Sequence, residues 1–303
     1  KTFTITVNPA GQVNQPASQV ICNSAQSTAV NFSSLNTGGT TTYAWTNDTP
    51  GIGLPAIGSG NIAAFPTINN GSTPVVATIT VTPTFTNGAV SCAGASKSFT
   101  ITVNPSAQVN QPLNQTICNN AQTVAVDFST NNTGGNTTYS WTNDTPGIGL
   151  PASGNGIINP FTAINGGLAP IIATIVVTPT FVNGGTSCTG PTKSFTITVN
   201  PSAQVNQPAN VVVCNTASSA AITFITTNSG GTTTYTWSNS DPSIGLAAGG
   251  SGNLPSFTAF NAGSSPVIAT ITVTPSFNNQ SVTCTGPTKS FTITVNPTAQ
   301  VNQ

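Results

Sequence analysis

Apolar and polar residues alternate with period two along most of this chain, and helical spacing is scarce. In residues 97–104, Phe99, Ile101 and Val103 face one way while Thr100 and Thr102 face the other. In 77–85, Ala77, Ile79, Val81 and Phe85 share a face, opposite Thr78, Thr80, Thr82 and Thr84. Such alternation marks half-buried strands. Val30 with Phe32 predicts a third strand, and Tyr43 with Trp45 a fourth; 62–65 and 12–21 are weaker candidates. Turn signals lie between them: Gly38-Gly39, Asn47-Asp48-Thr49-Pro50, Gly58-Ser59-Gly60-Asn61, Asn69-Asn70-Gly71 and Asn87-Gly88. Short strands spaced in this way predict an all-β fold of two packed sheets.

The whole pattern recurs every 96 residues. Lys1, Lys97, Lys193 and Lys289 open the same phrase, K-[ST]-F-T-I-T-V-N-P, and Trp45, Trp141 and Trp237 keep the same spacing. A fixed period of domain size means an array of like modules. The expected division is a tandem of three β-sandwiches at 9–105, 106–201 and 202–297. Residues 1–8 read as the last strand of a preceding repeat, or as a strand donated to another subunit; 298–303 read as the start of a following repeat. Phe32, Tyr43, Trp45, Phe65, Phe85 and Phe99 recur in every copy. The expected core is therefore Phe32 and Trp45, Phe128 and Trp141, and Phe224 and Trp237. Core packing is preferred for these tryptophans over a glycan-stacking platform, because they fall on inward strand positions. The joints are short and bounded by proline (Pro105, Pro112), which restricts the backbone and predicts an extended rod. At strand rise, each module should advance roughly 40 Å.

Composition removes whole classes of function. Only 3% of residues are charged: four Lys and four Asp, with no Glu, Arg or His. No basic stripe exists for nucleic acid and no polybasic segment for anionic lipid. No apolar run is long enough for membrane insertion as a helix. Without His there is no general base beside a nucleophile, and the carboxylates do not cluster for acid–base or calcium chemistry. No catalytic, cofactor or metal residue is assigned, and Asp48, Asp144 and Asp241 are read as turn residues that accept from the amide two residues on. Asn-x-Ser/Thr triplets at Asn31, Asn47, Asn70 and Asn143 allow for glycosylation, which would help an almost uncharged chain stay in solution.

The six cysteines, Cys22, Cys92, Cys118, Cys188, Cys214 and Cys284, sit two per module at fixed places, as disulfides do in an oxidising compartment. The simplest pairing is within modules: Cys22 with Cys92, Cys118 with Cys188, Cys214 with Cys284. The alternative joins neighbours, for example Cys92 with Cys118.

The order of parts resembles the PKD-like and immunoglobulin-like repeats of giant secreted Bacteroidetes surface proteins. The matching parts are Cys22-Asn23, a strand ending in Phe32, the Tyr43-x-Trp45 strand, the alternating Thr strand 77–85, the Cys92-x-Gly94 turn and the closing phrase 100–105. One departure stands out: the acidic glycine turn W-x-F-G-D-G of PKD repeats is here Trp45-Thr46-Asn47-Asp48. Many proteins of this kind are type IX secretion cargo, gliding adhesins among them. The resemblance implies an extracellular, non-enzymatic stalk or fibre of a bacterial surface adhesin, giving reach and rigidity. Glycan- or protein-binding modules and a self-assembling filament that uses strand exchange are the alternatives. The expected partners are neighbouring repeats and, in a filament or bundle, like chains.

Overall fold

The longest strand of each module organises the others. A computed structural model describes residues 1–300, so the expected opening of a following repeat lies partly outside the described residues. The first module contains β1 (Gln19–Cys22), β2 (Thr40–Asn47), β3 (Ile57–Ser59), β4 (Val75–Asn87), β5 (Val90–Ala93) and β6 (Lys97–Asn104). They form one sheet in the order β1-β6-β4-β2-β3, with β5 also on β4. The second module repeats this with β7 (Gln115–Cys118), β8 (Asn136–Asn143), β9 (Ser153–Asn155), β10 (Ile171–Asn183), β11 (Thr186–Thr189) and β12 (Lys193–Asn200). In the third the counterparts are β13 (Val211–Cys214), β15 (Thr232–Asn239), β16 (Gly249–Ser251), β18 (Val267–Asn279), β19 (Val282–Thr285) and β20 (Lys289–Asn296). There, β14 (Ser218–Ser219) pairs with β17 (Phe257–Thr258).

On β4 the alternation works as read. Ala77, Ile79 and Val81 are fully buried and Phe85 nearly so, while the threonines between them are half-exposed. The strand then turns at Asn87 and Gly88, where Gly88 takes φ 59°, a left-handed value that favours glycine. The return strand is split. β5 pairs with the end of β4 (Phe85 opposite Cys92) and β6 with its start (Val75 opposite Val103). The break falls opposite Pro83, which has no N–H for the ladder; its carbonyl instead accepts the Gly94 N–H at 2.9 Å.

The facing layer is less regular than the sequence suggests. Val30 bridges Ile62 and Gln26 bridges Pro66 rather than forming full strands. Side chains replace ladder partners here: the Phe65 N–H donates to Ser27 Oγ and the Phe32 N–H to Asn61 Oδ1, both at 2.9 Å. In 12–21 only Gln19–Cys22 forms a strand, parallel to β6; Pro16 lies just before it and cannot donate to a ladder. Between the layers pack Val30, Phe32, Trp45, Ile52, Ile79, Phe99 and their equivalents. Trp45, Trp141 and Trp237 are buried, Phe32 and Phe224 also, and Phe128 is half-buried against the same cluster. Each indole lies on a glycine of the neighbouring strand (Gly58, Gly154, Gly250), where a Cβ would come within 2.4 Å of the ring. Residues 1–8 carry no strand, and Phe3, Ile5 and Val7 are exposed.

The Asn-Asp turn after β2 differs from the reading above. Two residues on from Asp48 and Asp144 stand Pro50 and Pro146, which have no N–H to give, and it is Asn47 whose Oδ1 accepts the Thr49 N–H at 3.0 Å, as Asn143 does for Thr145. Asp48 and Asp144 reach across instead, accepting the Thr78 and Thr174 N–H groups at 2.7 and 2.8 Å. In the third module Ser240 Oγ takes that role toward Thr270, and Asp241 alone behaves as expected, accepting from Ser243. Asn47 and Asn143 are also buried, each donating Nδ2 to a leucine carbonyl, so the folded chain offers no glycan acceptor at either position. Asn31 and Asn70 are exposed.

These bonds carry a pH dependence. The Thr78 and Thr174 amides hold the Asp48 and Asp144 carboxyls below the ordinary value of 3.8, with Thr49 and Thr145 hydroxyls assisting. A depressed folded-state value stabilises above the unfolded value and is lost as pH falls through the folded one. Protection of the Thr78 and Thr174 amides against hydrogen exchange, corrected for intrinsic rates, should therefore drop below pH 3.8. Thr270, held by a hydroxyl, should keep its protection; equal behaviour at all three would contradict this account.

Candidate functional site: the joints between modules

Cys22 ends β1, one position beside Asn104 at the far end of the sheet. Cys92 lies opposite Phe85 at the other end. Eleven residue steps along the line of β4 separate these positions, about 37 Å at strand rise. A disulfide tolerates Cα atoms no more than about 7 Å apart. Pairing within a module is thus excluded by the register of the sheet, which corrects the simplest expectation. Joining Cys92 to Cys118 fails for the same reason, because it would connect the near end of one module to the far end of the next.

The structure pairs Cys22 with Cys188 and Cys118 with Cys284, each with Cα atoms 5.4 Å apart. Each bridge runs from the far end of one module to the near end of its successor, over a sequence separation of 166. In the chain-entropy account a loop of that length contributes about 5 kcal/mol. The two loops interlock, so the contributions do not simply add. Among the described residues Cys92 and Cys214 have no disulfide partner.

Hydrogen bonds fasten both sides of each joint. Asn104 donates Nδ2 to the Asn183 carbonyl at 3.0 Å, and Asn183 donates back to Asn104 Oδ1 at 2.8 Å. Thr186 Oγ1 donates to the Val20 carbonyl at 3.1 Å. On the other side the Ser72 carbonyl accepts from the Thr133 N–H at 3.0 Å and from Asn132 Nδ2 at 3.3 Å. The second joint repeats this. Asn200 and Asn279 exchange bonds, and the Leu168 carbonyl accepts from Asn228 Nδ2 and the Ser229 N–H. The connecting chain is buried with them: Asn104, Ala107, Asn200 and Ala203 are all fully enclosed. A buried polar connection of this kind fixes geometry, because any opening leaves its donors unpaired.

The sequence motifs acquire definite tasks. In Cys22-Asn23, the cysteine bridges forward, while Asn23 Oδ1 accepts the Asn69 N–H at 2.7 Å and Asn23 Nδ2 donates to Ser106 Oγ at 3.2 Å. Asn69 in turn donates to the Val103 and Thr73 carbonyls. The joint asparagines were missed in the sequence because Asn is abundant throughout; their signal was the repetition of Asn104 and Asn183 at the period. None of the joint hydrogen bonds named above involves an ionised group. Among the described residues no three His, Cys, Asp or Glu side chains could hold a metal, and no helix is long and apolar enough to cross a membrane.

No family model matches the chain, and no curated protein matches it. Among solved structures it is similar to mouse cadherin-23 EC22–24, at 14% identity over 94% of this chain and 96% of that one, with a TM-score of 0.41. Mouse protocadherin-24 EC1–3 is similar at 12% identity over 97% and 100%, with a TM-score of 0.37. The I9–I11 tandem of titin is similar at 12% identity over 95% and 99%, with a TM-score of 0.28.

Proposed function

We propose that this chain is part of an extracellular structural stalk or fibre, of the kind carried by a bacterial surface adhesin, and that its work is reach and stiffness. One observation supports the reading above others: the disulfides lie between modules. A bridge within a module strengthens that module and leaves its joint free to bend. A bridge across a joint does the reverse, and here it adds to paired asparagines and a buried linker. Disulfides belong to oxidising compartments. The resemblance to secreted Bacteroidetes repeats supports the bacterial assignment. No catalytic step is part of this reading. Near-absence of charge leaves the rod little affected by salt, since few ionised groups are present to be screened.

Small-angle X-ray scattering of the oxidised and the reduced chain tests this. Oxidised material should scatter as a straight rod of about 120 Å, the length of three modules at strand rise. Reduction should broaden the distance distribution while strand content is retained. An oxidised chain as bent and variable as the reduced one would overturn the proposal.

A further inference from the structure

The two bridges pass over near cysteines to join distant ones. Cys92 and Cys118 are 26 positions apart, as are Cys188 and Cys214, and the two cysteines of a module are 70 apart. The bonded pairs are 166 apart. In an unfolded chain the chance that two residues meet falls with about the three-halves power of their separation, so Cys92 meets Cys118 about sixteen times as often as Cys22 meets Cys188. Thiols oxidised in that state would pair with neighbours. The folded modules forbid those pairs. In the second module Cys118 lies beside Asn200 at the far end and Cys188 opposite Phe181 at the near end; in the third, Cys214 lies beside Asn296 and Cys284 opposite Phe277. Chain statistics and fold thus select different partners, and the partners observed are those of the fold.

A second observation is independent of the cysteines. The joint has contacts enough without its sulfurs. Asn104 meets Asn183, Thr186 meets Val20, and Ser72 meets Asn132 and Thr133, all through oxygen and nitrogen. The Ala107 carbonyl fits against Gly190, where a Cβ would stand 1.7 Å from its oxygen. A joint with reduced thiols keeps each of these partners, and whenever it closes it sets Cys22 on Cys188. Cys188 is 2% exposed and shut inside the joint, whereas Cys22 is half-buried and is the thiol a small oxidant reaches first.

We infer that each joint is the template for its own bridge: the modules fold and dock with their thiols reduced, and oxidation closes Cys22–Cys188 and Cys118–Cys284 last. The reaction that completes the rod is therefore a thiol oxidation of folded protein, and its co-reactant is a small-molecule disulfide such as oxidised glutathione. The Cys22 thiolate attacks that disulfide and one glutathione thiolate leaves. The Cys188 thiolate then attacks the Cys22 sulfur of the mixed disulfide and the second glutathione leaves. Two protein thiols lose two protons and two electrons, and the small disulfide becomes two thiols. Cys118 and Cys284 follow the same course. This inference stands on the joints and goes beyond the stalk reading, which concerns the finished rod.

The test treats the reduced 303-residue chain, dilute, with oxidised glutathione, once folded and once in denaturant, and maps the disulfides in peptic digests by mass spectrometry. The folded chain should yield Cys22–Cys188 and Cys118–Cys284. In denaturant Cys92–Cys118 and Cys188–Cys214 should lead, with the pairs of the folded chain at least about tenfold rarer. Asn183→Ala combined with Thr186→Val removes two hydrogen bonds of the first joint. In the folded chain, with strand content unchanged by circular dichroism, it should slow closure of Cys22–Cys188 at least about fivefold and leave Cys118–Cys284 at its unaltered rate. The 166-residue pairs leading in denaturant, neighbouring cysteines pairing in the folded chain, or equal closure of the two bridges in the variant would overturn the inference. A chain that closes these bridges only when folded, yet bends freely once oxidised, would uphold it and refute the stalk reading.

Discussion

A chain cut once at Gly60, Gly156 or Gly252 is expected to remain one covalent species on a denaturing gel without reductant, and cut at all three it should fall into two. These three glycines occupy equivalent turns with left-handed φ and open space around them, so a protease site inserted there leaves the core alone. The expectation follows from the interlocking of the disulfides. A cut after Gly60 leaves Cys22 on one piece and Cys188 on the other, still bonded; a cut after Gly252 is spanned by Cys118–Cys284; a cut after Gly156 is spanned by both. Any two of these cuts also leave one species. The third separates residues 1–60 with 157–252 from 61–156 with 253–303. Pairing within modules would hold all four pieces together, so the triple cut discriminates cleanly. A single band after three cuts would contradict the bridges seen in the structure. Between Cys22 and Cys284 no single peptide bond carries the load alone, as the proposed stalk would require.

Much of this architecture was legible in the sequence, and the part that was not has a physical reason. Alternation placed β2, β4 and β6, because a strand with one buried face must repeat with period two. The same alternation identified Trp45 and Phe32 as inward. Val30 gave a single bridge and Phe32 none, since Ser27 and Asn61 satisfy backbone amides that a strand would have used, and a short polar side chain carries no period. The cysteine partners were hidden for another reason. Their spacing is the same whether a bridge closes on its own module or reaches the next. Only the register, with Cys22 beside Asn104 and Cys92 beside Phe85, shows that the two cysteines of a module stand at opposite ends. The turn carboxylates of the first two modules were misread because the residue two on from Asp48 and from Asp144 is a proline with no N–H, so each accepts from the long strand instead.

Replacing Gly190 by alanine should unfold the second module at much lower denaturant and open the first joint as well. Gly190 completes the Cys-x-Gly turn between β11 and β12, where its N–H donates to the Pro179 carbonyl at 3.1 Å. A Cβ there would stand 1.7 Å from the carbonyl oxygen of Ala107. Neither side can yield easily. Ala107 is fully buried in the linker beside Asn104, and β11 is fixed on β10 by its pairing and by Cys188. Overpacking against backbone in such a place should cost at least about 3 kcal/mol. The displaced strand carries Cys188 two residues earlier, so the Cys22–Cys188 bridge should form poorly, and titratable thiols should rise from two, Cys92 and Cys214, toward four. Gly147→Ala is the control: that glycine is exposed in the turn Pro146–Ile148 and a Cβ meets nothing within 4 Å. It should change stability by less than about 1 kcal/mol. Denaturation of the reduced proteins isolates packing from the bridge, and thiol counting of the oxidised ones reads the joint. If Gly190→Ala matched the control in both, close backbone contact between linker and turn would not be what sets the angle of each module on the next.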